Sequence, residues 1–478
     1  MREAARLKLL GFLLAWAVVL AACASFAQPT VTRGGALKKR AYQTYGAMTL
    51  YVDPAGSDSN ACTASGTSAC ATLTGALGKL PRNINHAVTI NIAAGTYVEN
   101  PTIGPFTFGA TGGTPGTLSI QGDWTQYTPP TGTTTGTVTS YTAGTNGTPP
   151  TWTDSGQSWT PSSLKGVFFR MTSGAFSGQV RAVITDNTAT SVTMTANMTG
   201  LSGNYELVVP AATINGTVTI STIEGIGSAA GPLSLNYLNI TGAAAGGTLQ
   251  IADTRIRGPG ASSGVFLRQL RVFNSMAGGL TCAIRNAAVT FSSSGAYLEQ
   301  TAVTGAGVAL SAQEGTVTFY GYARSLGGGR AISLRSSSLQ ASATGFFATA
   351  EAAASSLEVI LAYGELGPSA LFVGNLVVRG GAGTTGIRLG TSPSSSAFGH
   401  SAVLVQYNAV AAQNIRVETA LVGLRVDKGS RVDLAGVAPV FSGVTDELSV
   451  DGTAYTYSFL SGLSPGVIIG PYGSAIYK

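Results

Sequence analysis

Gly315-Thr316-Val317-Thr318-Phe319 is one of four short segments built alike, the others being Gly116-Thr117-Leu118-Ser119-Ile120, Gly216-Thr217-Val218-Thr219-Ile220 and Gly247-Thr248-Leu249-Gln250-Ile251. Each opens on Gly-Thr and then alternates apolar with polar residues. Val88-Thr89-Ile90-Asn91-Ile92 alternates in the same way without the glycine. A period of two is the pattern of a strand with one face buried. Short strands that recur with turn residues between them predict coils stacked into a solenoid. The composition agrees: glycine numbers 64 of 478 residues and only 10% are charged, against about 25% in an average globular domain. From about 211 to 440 strand-like pieces return at roughly the spacing of one coil in repeat architectures, with no strict sequence repeat. Ser, Thr and Asn are plentiful there, and such side chains can stack in ladders.

Upstream of the repeats, Met48 to Asp53 reads as a strand and Pro54 to Asp58 as a turn-rich loop. Leu73, Ala76, Leu77 and Leu80 fall on one face of a short helix, which Pro81 stops. His86 to Ile92 is a further strand, and Ala94-Gly95-Thr96-Tyr97 a turn. This order over residues 48 to 100 resembles the first segment of right-handed parallel β-helix proteins of the pectin-lyase-like superfamily. In that family a helix caps the open end of the first coil, where an unpaired strand edge would otherwise be exposed. The resemblance implies an all-β fold: a right-handed parallel β-helix with a short N-terminal capping helix.

Residues 146 to 208 differ in texture. They hold Trp152 and Trp159, and four segments alternate strictly: Val167 to Met171, Gln179 to Ile184, Ser191 to Thr195 and Tyr205 to Val208. They predict a small antiparallel β module inserted into the helix, bounded by the Gly/Thr tract 131 to 147 and by Pro149-Pro150. The expected organisation is a signal peptide at 1–22, a tether at 23–46, the cap and first coils at 47–130, the inserted module with its linker at 131–210, and coils with a closing segment at 211–478.

The leader has Arg2, Arg6 and Lys8 before the apolar run Leu9 to Leu20, a secretory length too short to span a membrane. It ends in Leu20-Ala21-Ala22-Cys23, which resembles the lipobox of bacterial lipoproteins. That resemblance implies that Cys23 is acylated and becomes the mature N-terminus, with a lipid anchor in the outer membrane or at the cell surface. Ser25-Phe26-Ala27 offers ordinary cleavage and secretion instead. Either route exports the chain, so Cys62 and Cys70, which close a short loop, are expected to form a disulfide. Cys282, between Leu280 and Ile284, reads as a buried strand thiol. Loss of the leader lowers the formal charge from +6 to +4. There is no Lys/Arg cluster of the kind that binds nucleic acid.

Residues that carry chemistry are sparse. No cysteine pair has zinc spacing and there are only two histidines, so no Cys/His metal site is expected. His86 and His400 read as structural. Calcium-dependent lyases of the superfamily need clustered carboxylates and a basic residue near the sugar. Asp253, Glu299 and Glu314, with Arg255, Arg257 and Arg285, are the candidates, and calcium enters only under that reading. Arg257-Gly258-Pro259 meets half of the pectate lyase Arg-x-Pro-x-x-Arg pattern, Ser262 standing where the second Arg belongs. No pair of carboxyls for glycoside hydrolysis stands out. Arginine recurs along the solenoid, and a planar guanidinium suits carboxylates and sulfates. Arg257, Arg271, Arg285, Arg335, Arg379 and Arg388 are therefore the candidate contacts for an anionic glycan. The expectation is a cell-surface β-helix with a binding or structural role, polysaccharide being the candidate partner. Two alternatives stand beside it: a polysaccharide lyase or glycoside hydrolase of the pectin-lyase-like type, and a trimeric receptor-binding protein similar to phage tailspikes.

Overall fold

The computed structural model describes residues 42–145, 148–198, 200, 202–226, 232–257, 264–291, 295–327, 329–335, 337–341, 347–352, 359–361, 369–373, 376–380, 385–389, 402–406, 415–426, 431–434, 440–450, 455–456 and 467–469. The leader, Cys23, most of the tether and His400 lie outside the described residues. Among the described residues, three parallel sheets of 12, 13 and 10 strands run the length of the chain. Each coil contributes one strand to each sheet. In one coil, for example, Ala288–Phe291 lies in the first sheet, Tyr297–Gln300 in the third and Val308–Gln313 in the second. The protein is a parallel β-solenoid.

Period-two alternation points one side chain in two inward, and parallel stacking aligns these into columns. Val265, Val289, Val317 and Leu339 form one such column, one above the next. All are buried, in a continuous core that runs from Leu50 to Leu424. The step from Val289 to Val317 is longer than that from Val317 to Leu339 because loops of unequal length leave the corners. That is why no strict repeat shows in the sequence. The recurrent Gly-Thr start also has a physical cause. A Cβ at Gly116 would stand 2.0 Å from the Ile84 carbonyl oxygen of the preceding coil, closer than any real contact. Tight corners elsewhere are single residues with positive φ, such as Tyr237 (59°) and Gln269 (52°) after first-sheet strands, Asp253 (51°) within a second-sheet strand and Asn286 (46°) directly after the next one.

The cap forms as its residues dictate. Helix α1 (Leu73–Leu77) buries Leu73, Ala76 and Leu77, and the Thr72 side chain accepts from the Gly75 N–H. Glu99 accepts from the N–H groups of Leu73 (2.8 Å) and Thr74 (2.9 Å), and Asp58 accepts from those of Ala71 (2.9 Å) and Thr72 (3.0 Å). Two carboxylates thus satisfy donors that a helix start leaves open. The Cys62–Cys70 disulfide closes the loop before the helix, with a Cα–Cα distance of 4.9 Å. His86 is tied to residue 44: its Nδ1 donates to the Thr44 carbonyl at 3.0 Å. Gln43 and Thr44 therefore already pair with the first coil.

The inserted module leaves the third coil after Thr117–Gln121 in the first sheet and returns at Ala212–Asn215 in the third. It begins at Trp124, ahead of the composition change at Thr131. Its sheet holds eight strands among the described residues, twice the number read from the sequence. Trp124–Gln126, Thr135–Val138, Ser140–Thr142 and Thr151–Thr153 are the additional ones. Two of them, Thr135–Val138 and Ser140–Thr142, lie in the Gly/Thr-rich stretch before the strictly alternating segments. Such residues carry little strand signal of their own, and the pairing of Thr135–Val138 with Gly203–Pro210 supplies the order. Inside, Trp152, Trp159, Phe169 and Tyr205 form a separate core.

Candidate functional site

Two regions gather polar side chains in a non-repetitive way. The first is the seam where the lobe covers the third sheet. Parallel register puts Phe273, Glu299, Arg324, Glu351, Arg379 and Glu418 in one outward column, one residue per coil. Acid and base alternate from Glu299 onward. Arg324 donates to Glu299 (3.3 Å) and to Glu351 (3.1 Å), and Arg379 donates to Glu418 (3.0 Å). The lobe joins the ladder from above: Lys165 reaches Glu351 at 2.9 Å, and Arg379 donates to the Thr185 carbonyl at 3.2 Å. Beside it runs a second column of Arg271, Tyr297 and Tyr322. The Tyr297 hydroxyl donates to Glu299 and that of Tyr322 to Glu351 (2.5 Å).

Burial would raise the Glu351 carboxyl, but Lys165, the Tyr322 hydroxyl and Arg324 outweigh it and hold it below the ordinary carboxylate range. Glu418 is lowered in the same way, burial being outweighed by Arg416 and Arg379. Burial, with Glu299, pushes the Tyr297 phenol well up, so it remains a donor. Gly166 shows how closely the lobe sits: its φ is +78° and a Cβ there would stand 2.3 Å from the Tyr297 ring. Every residue of Tyr297–Gln300 and of Ala348–Ala352 is buried, on both faces of the sheet. The seam is full, and it is an internal joint.

The second region is open. A cleft of about 520 Å³ lies where the first coils, the cap loop and the root of the lobe meet. Its floor is an outward column of the first sheet, in which Tyr51, Asn91 and Gln121 occupy successive coils. Gln121 Nε2 donates to Asn91 Oδ1 at 2.7 Å, which fixes both amides. Asp53 extends the first strand into the cleft, and its Oδ1 accepts from the Ala55 N–H at 2.9 Å. Asp123 and Trp124 come from the chain as it leaves for the lobe. Ala211, also in the lining, comes from the chain as it returns, and its N–H donates to the Asp123 carbonyl at 2.7 Å. Asp123 Oδ1 accepts from the Trp124 N–H at 2.7 Å. The half-buried Trp124 ring is wedged against Tyr237 (4.9 Å between centroids) and Phe168 (5.3 Å). Below the cleft Tyr97 donates to the Ala93 carbonyl at 2.9 Å. Burial first, and then Asp53 and Glu99, push its phenol up, so it stays protonated.

The residues singled out in the sequence fall elsewhere. Arg271 lies under the lobe with its guanidinium over the rings of Phe273 (4.9 Å) and Tyr297 (5.9 Å). Arg379 belongs to the seam ladder. Arg285 is exposed on the second sheet, and by register Arg285, Gln313 and Arg335 succeed one another there. The side chains of Arg257, Arg335 and Arg388 lie outside the described residues. Of the three carboxylates proposed for a lyase, Glu299 is in the seam. Asp253 and Glu314 are exposed corner residues, and Asp253 accepts from Asn286 Nδ2 at 3.0 Å. Among the described residues no group of three or more His, Cys, Asp and Glu is placed to hold a metal ion. Sequence reading passed over Asn91, Gln121, Asp123 and Trp124. The one available signal was a tryptophan directly after a strand, in a chain with four tryptophans.

No protein-family model matches the chain, and no curated protein does. Among solved structures it is similar to a glycoside hydrolase, at 10% identity and a TM-score of 0.26, over 84% of this chain and 96% of that one. It is also similar to the Gp54 tailspike of Acinetobacter baumannii bacteriophage AP22, solved in complex with A. baumannii capsular saccharide. That match has 12% identity and a TM-score of 0.21, over 79% of this chain and 73% of that one. The tailspike gp61 of Pseudomonas phage phi297 matches at 12% identity and a TM-score of 0.18, over 80% and 70% of the two chains.

Proposed function

We propose that the protein is an exported glycan-binding solenoid and that the cleft between cap, first coils and lobe is its binding site. The observation that carries this reading is the lining: two part-exposed aromatic rings, Tyr51 and Trp124, beside two fixed amides and two carboxylates. A sugar has apolar C–H faces that pack on rings and hydroxyls that need donors and acceptors at set positions. A concave site with a few placed polar groups on a rigid sheet meets both needs. Anchoring through acylated Cys23 would present this surface outside the cell. The support for the anchor is Leu20-Ala21-Ala22-Cys23 after the apolar run, and mass spectrometry of the mature N-terminus tests it.

The test of binding is titration with a panel of oligosaccharides, read by tryptophan fluorescence. Trp152 and Trp159 are buried and Trp124 is not, so a bound sugar should change the signal of Trp124. Replacing Trp124 by Phe should abolish that change while the thermal midpoint stays within a few degrees. A panel with no binder overturns the reading. The meeting of Asp53 and Asp123 in one cleft supports glycoside hydrolysis as a second reading, because that reaction uses two carboxyls. New reducing ends on incubation with a bound polysaccharide would establish it.

A further inference from the structure

We infer that the glycan held in this cleft bears no carboxylate and is bound most tightly when it bears an amine. The inference rests on the glycan-binding reading and adds the charge of the ligand. Asp53 and Asp123 line the cleft, and among the described residues no Lys, Arg or His lines it. Each aspartate gives Oδ1 to a backbone N–H, of Ala55 and of Trp124 respectively. Among the described residues neither Oδ2 meets a protein donor, so each carboxylate keeps an acceptor for the ligand. A sugar hydroxyl can donate to it. An ammonium group donates with charge assistance and gains the most. A uronate placed there meets two like charges with no compensating cation.

Two arginines of a later coil are stacked on rings. Arg268 continues the outward column of Tyr51, Asn91, Gln121 and Asn236. Its guanidinium lies over Phe266, 5.8 Å from the ring centroid. Arg271 is under the lobe. The chain as a whole is basic, with a formal charge of +6, or +4 without the leader, and net charge would steer anionic polymers toward it. The cleft is a local exception to that charge, and local charge decides what docks.

The experiment uses glucosamine oligomers, their N-acetylated equivalents and oligogalacturonates of equal length, titrated at a mildly acidic pH that keeps the amine protonated. The expected order is glucosamine, then N-acetylglucosamine, then galacturonate, with about tenfold or more between first and last. The order should narrow at high salt, because exposed charges are screened. Asp53→Asn and Asp123→Asn retain the Oδ1 acceptor for the backbone, remove the charge and turn the free Oδ2 acceptor into an NH2 donor. Each should weaken the amine-bearing oligomer and relieve the penalty on the uronate. Tightest binding of oligogalacturonate, or an order unmoved by salt and by both variants, would overturn the charge inference and leave glycan binding intact. No binding by any oligomer would overturn both.

Discussion

The solenoid and the lobe are both made of short strands, yet they are held together in opposite ways. The solenoid grows by repetition. Its core is a file of columns, such as Leu267, Phe291 and Phe319, in which each side chain touches mainly the coil above and the coil below. The lobe closes on itself. Its antiparallel strands wrap Trp152, whose ring lies 4.5 Å from Tyr205 and 4.6 Å from Phe169. One buried carboxylate, Asp154, accepts from the Tyr205 hydroxyl (2.8 Å), the Thr137 N–H (3.1 Å) and Gln157 Nε2 (3.2 Å). The difference teaches where damage should travel. In a stack, a lost contact is felt by neighbouring coils; in a closed core, it is felt by the whole unit. The seam between them is neither kind of core, being charged, aromatic and covered.

The comparison is broken most directly by replacing residues 124–210 with a short Gly/Ser bridge. The coils should still form, because their pairing does not pass through the lobe, and the far-ultraviolet β signal should persist. The midpoint should fall by more than about 10 °C, the effect of about 5 kcal/mol or more at about 2–4 °C per kcal/mol, since Tyr297, Tyr322 and the Glu/Arg ladder lose their cover. Global unfolding would show that the two regions are one unit. Next in size is Trp152→Ala, expected to cost about 3–5 kcal/mol. Limited proteolysis should then cut within the lobe and spare residues 264–341.

Glu351→Gln sharpens the third part of the comparison, the seam. It leaves Lys165, Arg324 and Arg379 without their shared carboxylate, and breaking a buried pair of this kind costs about 3 kcal/mol or more. The pH dependence follows from the lowered carboxyls of Glu351 and Glu418. A carboxyl whose folded pKa is depressed contributes stability above its unfolded value, near 4.3. That stability is lost as pH falls through the folded value. The wild-type midpoint should therefore drop steeply below about pH 4, and the Glu351→Gln variant should drop less. The smallest expected effect is at the cap. Changing Cys62 and Cys70 to Ser should cost about 2–3 kcal/mol for so short a loop, and should loosen the cap without loosening the lobe. A thermal melt that reports lobe and solenoid separately would check this.

How much could be read beforehand differs between these regions. The Gly-Thr strands announced the solenoid because burying one face imposes alternation on each strand separately. Helix α1 and the Cys62–Cys70 pair were legible for the same reason, both being local. Half of the lobe's strands were not, since Thr135–Val138 and Ser140–Thr142 carry little apolar alternation and are ordered by their partners. The arginines misled in a specific way. Arg271 and Arg379 look like neighbours in a recurrent series, and the sequence does not show that a lobe inserted far upstream lies over both.

By itself the sequence determined the class of fold, the cap, the disulfide loop and the presence of an insertion, because each depends on residues close together in the chain. Only the tertiary structure decided which charges are free. Stacking register aligned Glu299, Arg324, Glu351, Arg379 and Glu418, and docking of the lobe covered them. The same register placed Tyr51, Asn91 and Gln121 side by side, and the root of the lobe brought Asp123 and Trp124 to them. In a solenoid, spatial neighbours are a whole coil apart, and the length of each coil is set by loops that obey no period.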